Sequence, residues 1–241
     1  MSTIAIYEQK YVCFLDILGF SSAILHPDHP HFNRCTGYFF EALKLLKKWH
    51  KNQISKKIPS KGDRFLRRLE ISQFSDCVAF SCALDPYSLS LFFDRAAQLQ
   101  RELLKGGLLS RGAITKGEIF HKNDYIFGPA LVQAVEMEEK ASFPMIILSV
   151  DVLQDLHADP ARNNYSQKIQ CDLDNNYYVR YIENWEYIRN AIEFAQLKET
   201  ILFGLRDPNV EEKYKWLASK FNARLDDQHI PGITKIALPS P

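Results

Sequence analysis

The apolar positions of the chain recur with two different spacings, which together predict alternating strands and helices. Runs that alternate in polarity or concentrate β-branched and aromatic residues predict strands, whereas apolar residues every three or four positions predict helices. The predicted strands are Lys10–Asp16, Leu69–Phe74, Val78–Ser81, 108–120 and 145–150. The predicted helices are Phe32–Trp49, 85–107, 128–142, Trp185–Leu202 and Asn209–Asn222.

Residues 10–150 therefore have the order β-α-β-β-α-β, followed by one more helix and strand. This order predicts an α+β fold built on a ferredoxin-like sheet with helices on one face. The sequence divides into a core domain at residues 1–150 and a helical C-terminal extension at residues 151–241. The stretch KYKWLASKFN in the extension is amphipathic, which favours a helix packed on the core or on a second protomer.

Composition narrows the classes of function. The 241 residues are 46% hydrophobic, enough to bury a full core, and 30 basic against 29 acidic residues give a net charge of +1. That balance argues against a protein that coats nucleic acid or an anionic membrane through bulk charge. The chain has no apolar run of about 18 residues and no secretion-type N-terminus. Its five cysteines are scattered without CxxC spacing, which predicts a reduced, cytoplasmic protein without a zinc site.

Polar segments allow more than one interpretation. The basic stretch at residues 50–68, broken by Pro59 and Gly62, is either a solvated loop or an electropositive approach for a polyanionic ligand. The segment His26–His31 has the composition of a metal cluster, but its prolines predict a solvent-exposed loop. His121 is predicted to lie in a hairpin loop because polar residues follow it.

Two aspartates lie inside unusually apolar sequence. Asp16 falls in YVCFLDILGF, and Asp76 falls in QFSDCVAFS at the tip of the predicted hairpin. A buried, unpaired carboxylate costs several kcal/mol, so each acid needs a partner. The β-α-β-β order lets the end of the first strand approach the hairpin turn, and adjacent carboxylates cannot both ionise without a cation between them. Hard oxygen ligands select Mg²⁺ or Mn²⁺.

Spacing alone equally allows two unrelated aspartates, one in a turn and one capping a helix. The apolar neighbours of both acids favour the shared metal site. Two metal ions about 3.5–4 Å apart can activate a hydroxyl and hold a leaving phosphate. The backbone N–H groups of the turn Ile17–Phe20 can cradle phosphate oxygens, since Gly19 permits close approach.

These residues resemble the motifs of the class III nucleotidyl cyclases. Phe14–Phe20 is similar to their first metal-binding strand and turn, and Phe74-Ser75-Asp76 is similar to the hairpin that carries their second metal ligand. SRGAITKGEIF, YIFGPALVQAVEMEEKAS and MIILS are similar to the strand, glycine-led helix and closing strand that follow. The combination is most similar to the pyrimidine cyclases of the bacterial Pycsar antiphage systems.

The resemblance implies a role for each matched residue. Asp16, Asp76 and the carbonyl of Ile17 are implied to hold two Mn²⁺ or Mg²⁺ ions per site. The implied nucleotide-binding residues are Phe14, Leu18, Gly19, Phe20, Ser72 and Tyr125. Ser72 and Tyr125 occupy base-reading positions, where a hydroxyl can bind a pyrimidine edge and an aromatic ring can stack on the base. Tyr125 is equally interpretable as an ordinary strand-end aromatic residue.

The chain departs from the purine cyclases at two positions. Where those enzymes carry an asparagine and a transition-state arginine, this chain has Val132 and Glu136. Another cation must then offset the charge that develops on the α-phosphate, and Arg111 and Lys116 on the preceding strand are the candidates. Lys116 also fits a solvated turn residue.

The resemblance implies a lyase that converts UTP to 3′,5′-cyclic UMP and pyrophosphate, signalling in antiphage defence. It also implies a head-to-tail homodimer with composite active sites and a separate effector linked only through the product. A cytidylate cyclase that makes cyclic CMP from CTP is the alternative. An inactive cyclase-like domain that binds a nucleotide or a partner is the alternative from another class. We expect neither a nucleic-acid polymer nor a membrane as a partner.

Overall fold

The computed structural model describes residues 6–20, 25, 32–51, 69–84, 86–123, 125–159, 165, 167–182, 191–227 and 230–238. The strands are β1 (Glu8–Leu18), β2 (Glu70–Phe74), β3 (Cys77–Ala83), β4 (Leu109–Lys122), β5 (Tyr125–Phe127), β6 (Ile146–Leu148), β7 (Ile169–Cys171) and β8 (Tyr177–Val179). The helices are α1 (Phe32–Lys51), α2 (Pro86–Lys105), α3 (Pro129–Lys140), α4 (Val150–Ala158), α5 (Ala191–Gly204) and α6 (Glu211–Asp227). The segment His26–His31 and most of the basic stretch, residues 52–68, lie outside the described residues.

The strands form one sheet in the order β2-β3-β1-β4-β6-β8-β7, with β5 pairing on β4. Neighbouring strands are antiparallel except for β4 and β6, which are parallel. β1 takes a central place because Tyr11–Leu15 is a continuous apolar run that is buried on both faces of the sheet. The predicted α+β fold is confirmed.

Side chains that alternate along β1 separate two cores. Tyr11 and Leu15 face the larger core, which α1 and α2 line. Phe14 faces the other side, where it packs in a smaller cluster with Ala134 of α3. The ferredoxin-like order is therefore confirmed with α1 and α2 on one face, whereas α3 covers the opposite face at the end of the sheet where Asp16 lies.

The C-terminal residues add strands as well as helices. β8 pairs with β6, so residues 151–241 extend the sheet by two short strands that the sequence pattern did not predict. Phe194 of α5 and Phe221 of α6 pack with their ring centroids 5.7 Å apart. Trp216 of α6 stacks on Phe143, at 5.8 Å between centroids, which fixes the last helix against the core.

The last two helices differ in extent from their predictions. α6 continues to Asp227, beyond the predicted end at Asn222, because Arg224 still lies against the protein and is buried. The predicted start of the preceding helix, at Trp185, falls in residues 183–190, outside the described residues. Among the helices that the structure describes, none is long and apolar enough to cross a bilayer.

Candidate active site

Three strands converge at the end of β1 and bring their side chains to one face. Asp16 lies opposite Cys77 of β3 on one side and opposite Arg111 of β4 on the other. Because side chains alternate along a strand, Asp16 shares its face with Phe14, the face that α3 covers. An acid, a thiol and a guanidinium therefore meet at this edge of the α3 packing.

The turn between β2 and β3 brings the second acid to the same place. Ser75 adopts a left-handed conformation with φ of 53°, which allows the chain to reverse in two residues. The backbone N–H of Ile17 donates a hydrogen bond to the carbonyl oxygen of Asp76, 3.1 Å away. The predicted hairpin is confirmed, and the structure brings Asp16 and Asp76 together at its tip.

The two carboxylates and one thiol form a cluster that can hold a metal ion. One ligand atom from each of Asp16, Asp76 and Cys77 lies within 4.8 Å of the others. The Sγ atom of Cys77 donates to Oδ1 of Asp16 across 3.6 Å. Cys77 was not among the predicted ligands; its register opposite Asp16 is the signal that would have found it.

Electrostatics of the cluster favour a bound cation. Burial raises the pKa of Asp16 above its ordinary value, and the neighbouring charge of Asp76 raises it further. Burial and the same two acids raise the pKa of the Cys77 thiol to about 12, so the thiol keeps its proton. A divalent cation would stabilise both carboxylates in their charged form, and two oxygen donors suit Mg²⁺ or Mn²⁺. The residues present fit such an ion.

The turn after β1 is built for close approach. Gly19 has a φ of 73°, in the left-handed region, and among the described residues no atom beyond its chain neighbours lies within 4 Å of the place where a side chain would begin. Phe20 packs on Phe39 of α1, with ring centroids 4.5 Å apart, which anchors the turn to the larger core. Leu18 ends β1 and is half-buried. The predicted roles of this turn and of the Ile17 carbonyl remain predictions.

Arg111 is held beside the acids by a partner on α3. Its Nε atom forms an ion pair with Oε1 of Glu138, and its Nη1 atom donates to the carbonyl oxygen of Ala141 at 3.4 Å. Burial raises the pKa of Glu138, and the charge of Arg111 lowers it. The charge of Arg111 also lowers the pKa of Asp16. The Arg111 guanidinium therefore lowers the pKa of both Asp16 and Glu138, and its ion pair with Glu138 orients it.

Glu138 was not among the residues predicted from the sequence, although the sequence carries a signal for it. Its side chain is only 6% exposed. It follows Ala130 and Ala134 at four-residue spacing, and these three are the buried positions of α3. An acid on the buried stripe of a helix requires a charged partner, and Arg111 is the one that the fold supplies.

Lys116 lies elsewhere. It pairs with Tyr11 in the sheet, five strand positions from Arg111 and on the opposite face. Its Nζ atom lies 2.7 Å from Oδ1 of Asp155 on α4, and the Tyr11 hydroxyl donates to Oδ2 of the same carboxylate at 2.7 Å. This trio fastens α4 to the sheet. Within one chain, the structure does not bring Lys116 to the acidic pair.

The predicted base-reading residues lie near a buried histidine. Ser72 of β2 is buried, and its hydroxyl lies 3.1 Å from Nε2 of His121 on β4. Tyr125 of β5 is 72% exposed and pairs with Lys122, the residue after His121. The prediction that His121 lies in a loop is wrong, because β4 continues through it and the β2–β3 hairpin covers its ring.

The remaining predicted positions lie around this region. Phe14 is buried and stacks on the exposed Phe74, with ring centroids 6.3 Å apart. Val132 and Glu136, which are predicted to stand where the purine cyclases have an asparagine and an arginine, are exposed on α3. They are therefore open to solvent or to a second copy of the chain.

Comparisons with known proteins give distant likenesses of fold. Neither a protein-family model nor a curated protein sequence matches the chain. Among solved structures, the adenylyl cyclase CyaB from P. aeruginosa aligns with 15% identity over 72% of this chain and 94% of its own, with a TM-score of 0.47. The monomeric guanylyl cyclase domain of the RhoGC fusion protein from Blastocladiella emersonii aligns with 13% identity over 72% and 95%, with a TM-score of 0.44.

An adenylate/guanylate cyclase/hydrolase from Silicibacter pomeroyi aligns with 15% identity over 72% of this chain and 95% of its own, with a TM-score of 0.45. With TM-scores below 0.5, these likenesses carry no conclusion about the chemistry of this chain, which rests on its own residues.

Proposed function

We propose that this protein is a nucleotidyl cyclase of the class III type that converts UTP to 3′,5′-cyclic UMP and pyrophosphate. The observation that carries the proposal is the paired setting of Asp16 and Asp76, joined through the Ile17–Asp76 hydrogen bond, with Arg111 opposite Asp16. The metal-binding motifs of the cyclases, read from the sequence, fall on these same residues.

Asp16 and Asp76 would hold two divalent ions, Mn²⁺ or Mg²⁺, together with the carbonyl oxygen of Ile17. Bound there, such ions would lower the pKa of the ribose 3′-hydroxyl and stabilise the charge of the leaving pyrophosphate. Cys77 lies beside the same position, and its protonated thiol donates to Oδ1 of Asp16 across 3.6 Å. Burial raises the pKa of Asp16, and a bound cation would lower that pKa again.

The residues of the chain supply position and charge for the reaction. The 3′-oxygen forms a bond to the α-phosphorus in line with the bond to the β-phosphate oxygen, which breaks as the hydroxyl proton passes to solvent. The N–H groups of Leu18–Phe20 offer hydrogen bonds to phosphate oxygens, and Gly19 leaves room for them. Arg111, oriented by Glu138, offsets the charge that develops on the α-phosphate.

A pyrimidine base is favoured by the residues at the base-reading positions. Ser72 offers a hydroxyl, which can donate or accept, and Tyr125 offers an exposed ring on which a base can stack. The uridylate preference rests on the resemblance to the pyrimidine cyclases of antiphage systems. The product would then activate a separate effector, in a cytoplasmic setting that suits five cysteines present as free thiols.

The proposed homodimer has a suitable surface. Tyr7, Tyr125, Phe127 and Val132 are all exposed, and Tyr7 contacts Phe127 edge-on with ring centroids 6.0 Å apart. These residues extend from β5 to the exposed side of α3, where Val132 replaces a catalytic residue of the purine cyclases. A second copy seated there would cover the apolar patch and complete the nucleotide site.

The test is pyrophosphate release with Mn²⁺ and each of ATP, GTP, CTP and UTP, with the nucleotide product identified by mass. We expect cyclic UMP from UTP and its loss in Asp76→Asn. Asp174→Asn, an exposed acid in the turn between β7 and β8, is the matched control and should keep full activity. Cyclic CMP from CTP alone would establish the cytidylate alternative. Tight nucleotide binding without any product would establish the inactive nucleotide-binding domain.

A further inference from the structure

A sulfur atom lies beside both acids of the proposed metal site. Cys77 of β3 pairs with Asp16 in the sheet, so their side chains project from the same face. The Sγ atom of Cys77 lies 3.6 Å from Oδ1 of Asp16 and 4.0 Å from Oδ1 of Asp76. All three residues are half-buried, so an ion from solvent can reach them.

The backbone fixes the positions from which these three side chains project. Asp16 and Cys77 are paired strand residues, and Asp76 precedes Cys77 at the tip of the hairpin. The N–H of Ile17 donates to the carbonyl oxygen of Asp76 at 3.1 Å, which ties the hairpin tip to the end of β1. The sheet and the turn therefore place ligands of two kinds, carboxylate oxygen and thiol sulfur, within 4.8 Å of one another.

The spacing of the three side chains suits a tetrahedral ion that accepts sulfur. Zinc binds cysteine sulfur at about 2.3 Å and carboxylate oxygen at about 2.0–2.2 Å, and a tetrahedral angle between two such bonds separates sulfur from oxygen by about 3.6 Å. The two sulfur–oxygen separations in the structure, 3.6 and 4.0 Å, are close to this value. Mg²⁺ instead takes oxygen ligands in octahedral geometry and keeps several waters, so a sulfur ligand does not favour its binding.

We propose that Cys77 is a third ligand in this site, which makes the site bind a thiophilic divalent ion such as Zn²⁺ in preference to Mg²⁺. As the sulfur coordinates the ion in place of a bound water, the S–H proton passes to solvent. Three protein ligands leave one position of a tetrahedral ion open. One position cannot hold both the ribose 3′-oxygen and the phosphate oxygens, so Zn²⁺ bound there inhibits the cyclase reaction. This effect on turnover rests on the proposed function, whereas the binding of the ion does not.

The absorption spectrum of Co²⁺ bound to the full chain tests the sulfur ligand without any turnover. Co²⁺ accepts the ligands that Zn²⁺ accepts, and a cysteine thiolate bound to Co²⁺ gives a charge-transfer band in the near ultraviolet. We expect this band in wild type, its loss in Cys77→Ser, and its displacement by Zn²⁺ but not by an equal concentration of Mg²⁺. Cys171→Ser, which removes an exposed thiol from β7, is the matched control and should keep the band.

Affinity and inhibition give two further readouts. The chain has seven histidines, which are potential ligands for Co²⁺ and Zn²⁺ elsewhere, but histidine gives no sulfur band and its binding would persist in Cys77→Ser. The affinity of the Cys77-dependent site for Zn²⁺, from competition with a chromophoric chelator, should weaken in Cys77→Ser by at least the roughly 10–100-fold that loss of an outer-shell contact typically costs. The concentration of Zn²⁺ that halves UTP turnover should rise by a similar factor, with each protein compared with its own zinc-free rate.

Failure of this inference is distinct from failure of the proposed function. A wild-type protein that makes cyclic UMP but lacks the sulfur band, or a band that persists in Cys77→Ser, overturns the role of Cys77 alone. Zn²⁺ that binds through Cys77 without slowing turnover overturns the inhibition. A protein that shows the band but makes no cyclic nucleotide supports the ligand and refutes the proposed function. If thermal melting shows that Cys77→Ser is unfolded, Asp76→Asn decides, because loss of an acid beside the sulfur should also abolish the band.

Discussion

The backbone N–H of Ile17 hydrogen-bonds to the carbonyl oxygen of Asp76, and this contact joins the end of the central strand to the tip of the neighbouring hairpin. Because the contact is between backbone groups, it does not depend on which side chains occupy the two positions. It holds the Asp16 and Asp76 side chains close to each other. Burial raises the pKa of Asp16 in this setting, and the neighbouring charge of Asp76 raises it further.

Replacing Asp16 should lower the activity of the protein and raise its thermal stability. In Asp16→Asn we expect kcat to fall on the order of 10²–10³-fold or more, because a charge at the reacting centre is lost. The folded-state pKa of Asp16 is raised, so its ionisation destabilises the fold; this cost grows as pH rises from the ordinary value of 3.8 to the folded-state pKa and is constant above it. The metal-free variant should therefore melt above wild type at neutral pH, by about 2–4 °C for each 1 kcal/mol gained.

Metal binding gives the matching control. Mn²⁺ should raise the melting temperature of wild type in a concentration-dependent way, since a ligand that binds only the folded state stabilises it. The same titration should have little effect on Asp16→Asn or Asp76→Asn, while Asp174→Asn behaves as wild type. An Asp16→Asn variant that kept its turnover or its full Mn²⁺ shift would refute the metal site.

Variants of Arg111 and Lys116 can test which of these two side chains offsets the charge on the α-phosphate. Arg111→Gln should lower kcat on the order of 10²–10³-fold with little change in KM, the pattern expected when an interaction made in the transition state is removed. Arg111→Lys should recover part of this loss, because it keeps the charge but not the planar fork that pairs with Glu138. Steady-state kinetics with UTP measure both.

Lys116→Gln is the comparison. Its partners are Asp155 and Tyr11 on the opposite face of the sheet, so we expect a lower melting temperature from a loosened α4 and a much smaller change in kcat. A loss of kcat equal to that of Arg111→Gln would show that Lys116 acts in the reaction, through a partner protomer.

Much of this site follows from sequence alone, because its two acids lie in sequence that must be buried. An apolar run long enough for a central strand predicted the place of Asp16, and the Ser75-Asp76 pair between two strand-like runs predicted that Asp76 lies at a turn. The alternation of strand side chains also separates Arg111 from Lys116. An odd number of positions divides them, so only one can share a face with Asp16.

The rest of the site depends on contacts between distant segments. Nothing local to His121 reveals that strand β4 runs on through it, or that the serines of another hairpin cover its ring. Glu138 is visible as an acid on a buried helical stripe, but its partner is determined by how α3 crosses the sheet. The strands β7 and β8 are short, and they exist because β6 offers them an edge.

A glycine in β4 maintains the spacing of the strands that carry the site. A methyl group on Gly112 would lie 2.3 Å from the carbonyl oxygen of Phe14, and a backbone atom cannot move aside as a side chain can. Gly112→Ala should therefore destabilise the protein by about 1–3 kcal/mol, the usual range for overpacking, and should disturb the pairing of Asp16 with Arg111. Chemical denaturation and cyclase activity measure the two effects.

Gly37 provides the control for that substitution. It lies inside α1, and among the described residues no atom beyond its chain neighbours and its own helix backbone is within 4 Å of where its side chain would begin. Gly37→Ala should stabilise the helix by about 0.5–1 kcal/mol through the unfolded state and leave turnover unchanged. Equal effects at the two glycines would contradict the close approach of β1 and β4.

Acid stability should report on the buried histidine. The folded-state pKa of His121 is lowered from 6.5 to about 4, so the unfolded chain binds more protons between these values. Its contribution is complete above pH 6.5 and is lost as pH falls towards 4, which amounts to about 3 kcal/mol at 1.36 kcal/mol for each pKa unit. Carboxylates titrate in the same range, so the measurement is the difference between wild type and His121→Gln in urea unfolding from pH 7 to pH 4. Wild type should lose more free energy of unfolding than the variant by about that amount, whereas parallel curves would mean that the ring accepts a proton in the folded state as readily as in the unfolded one.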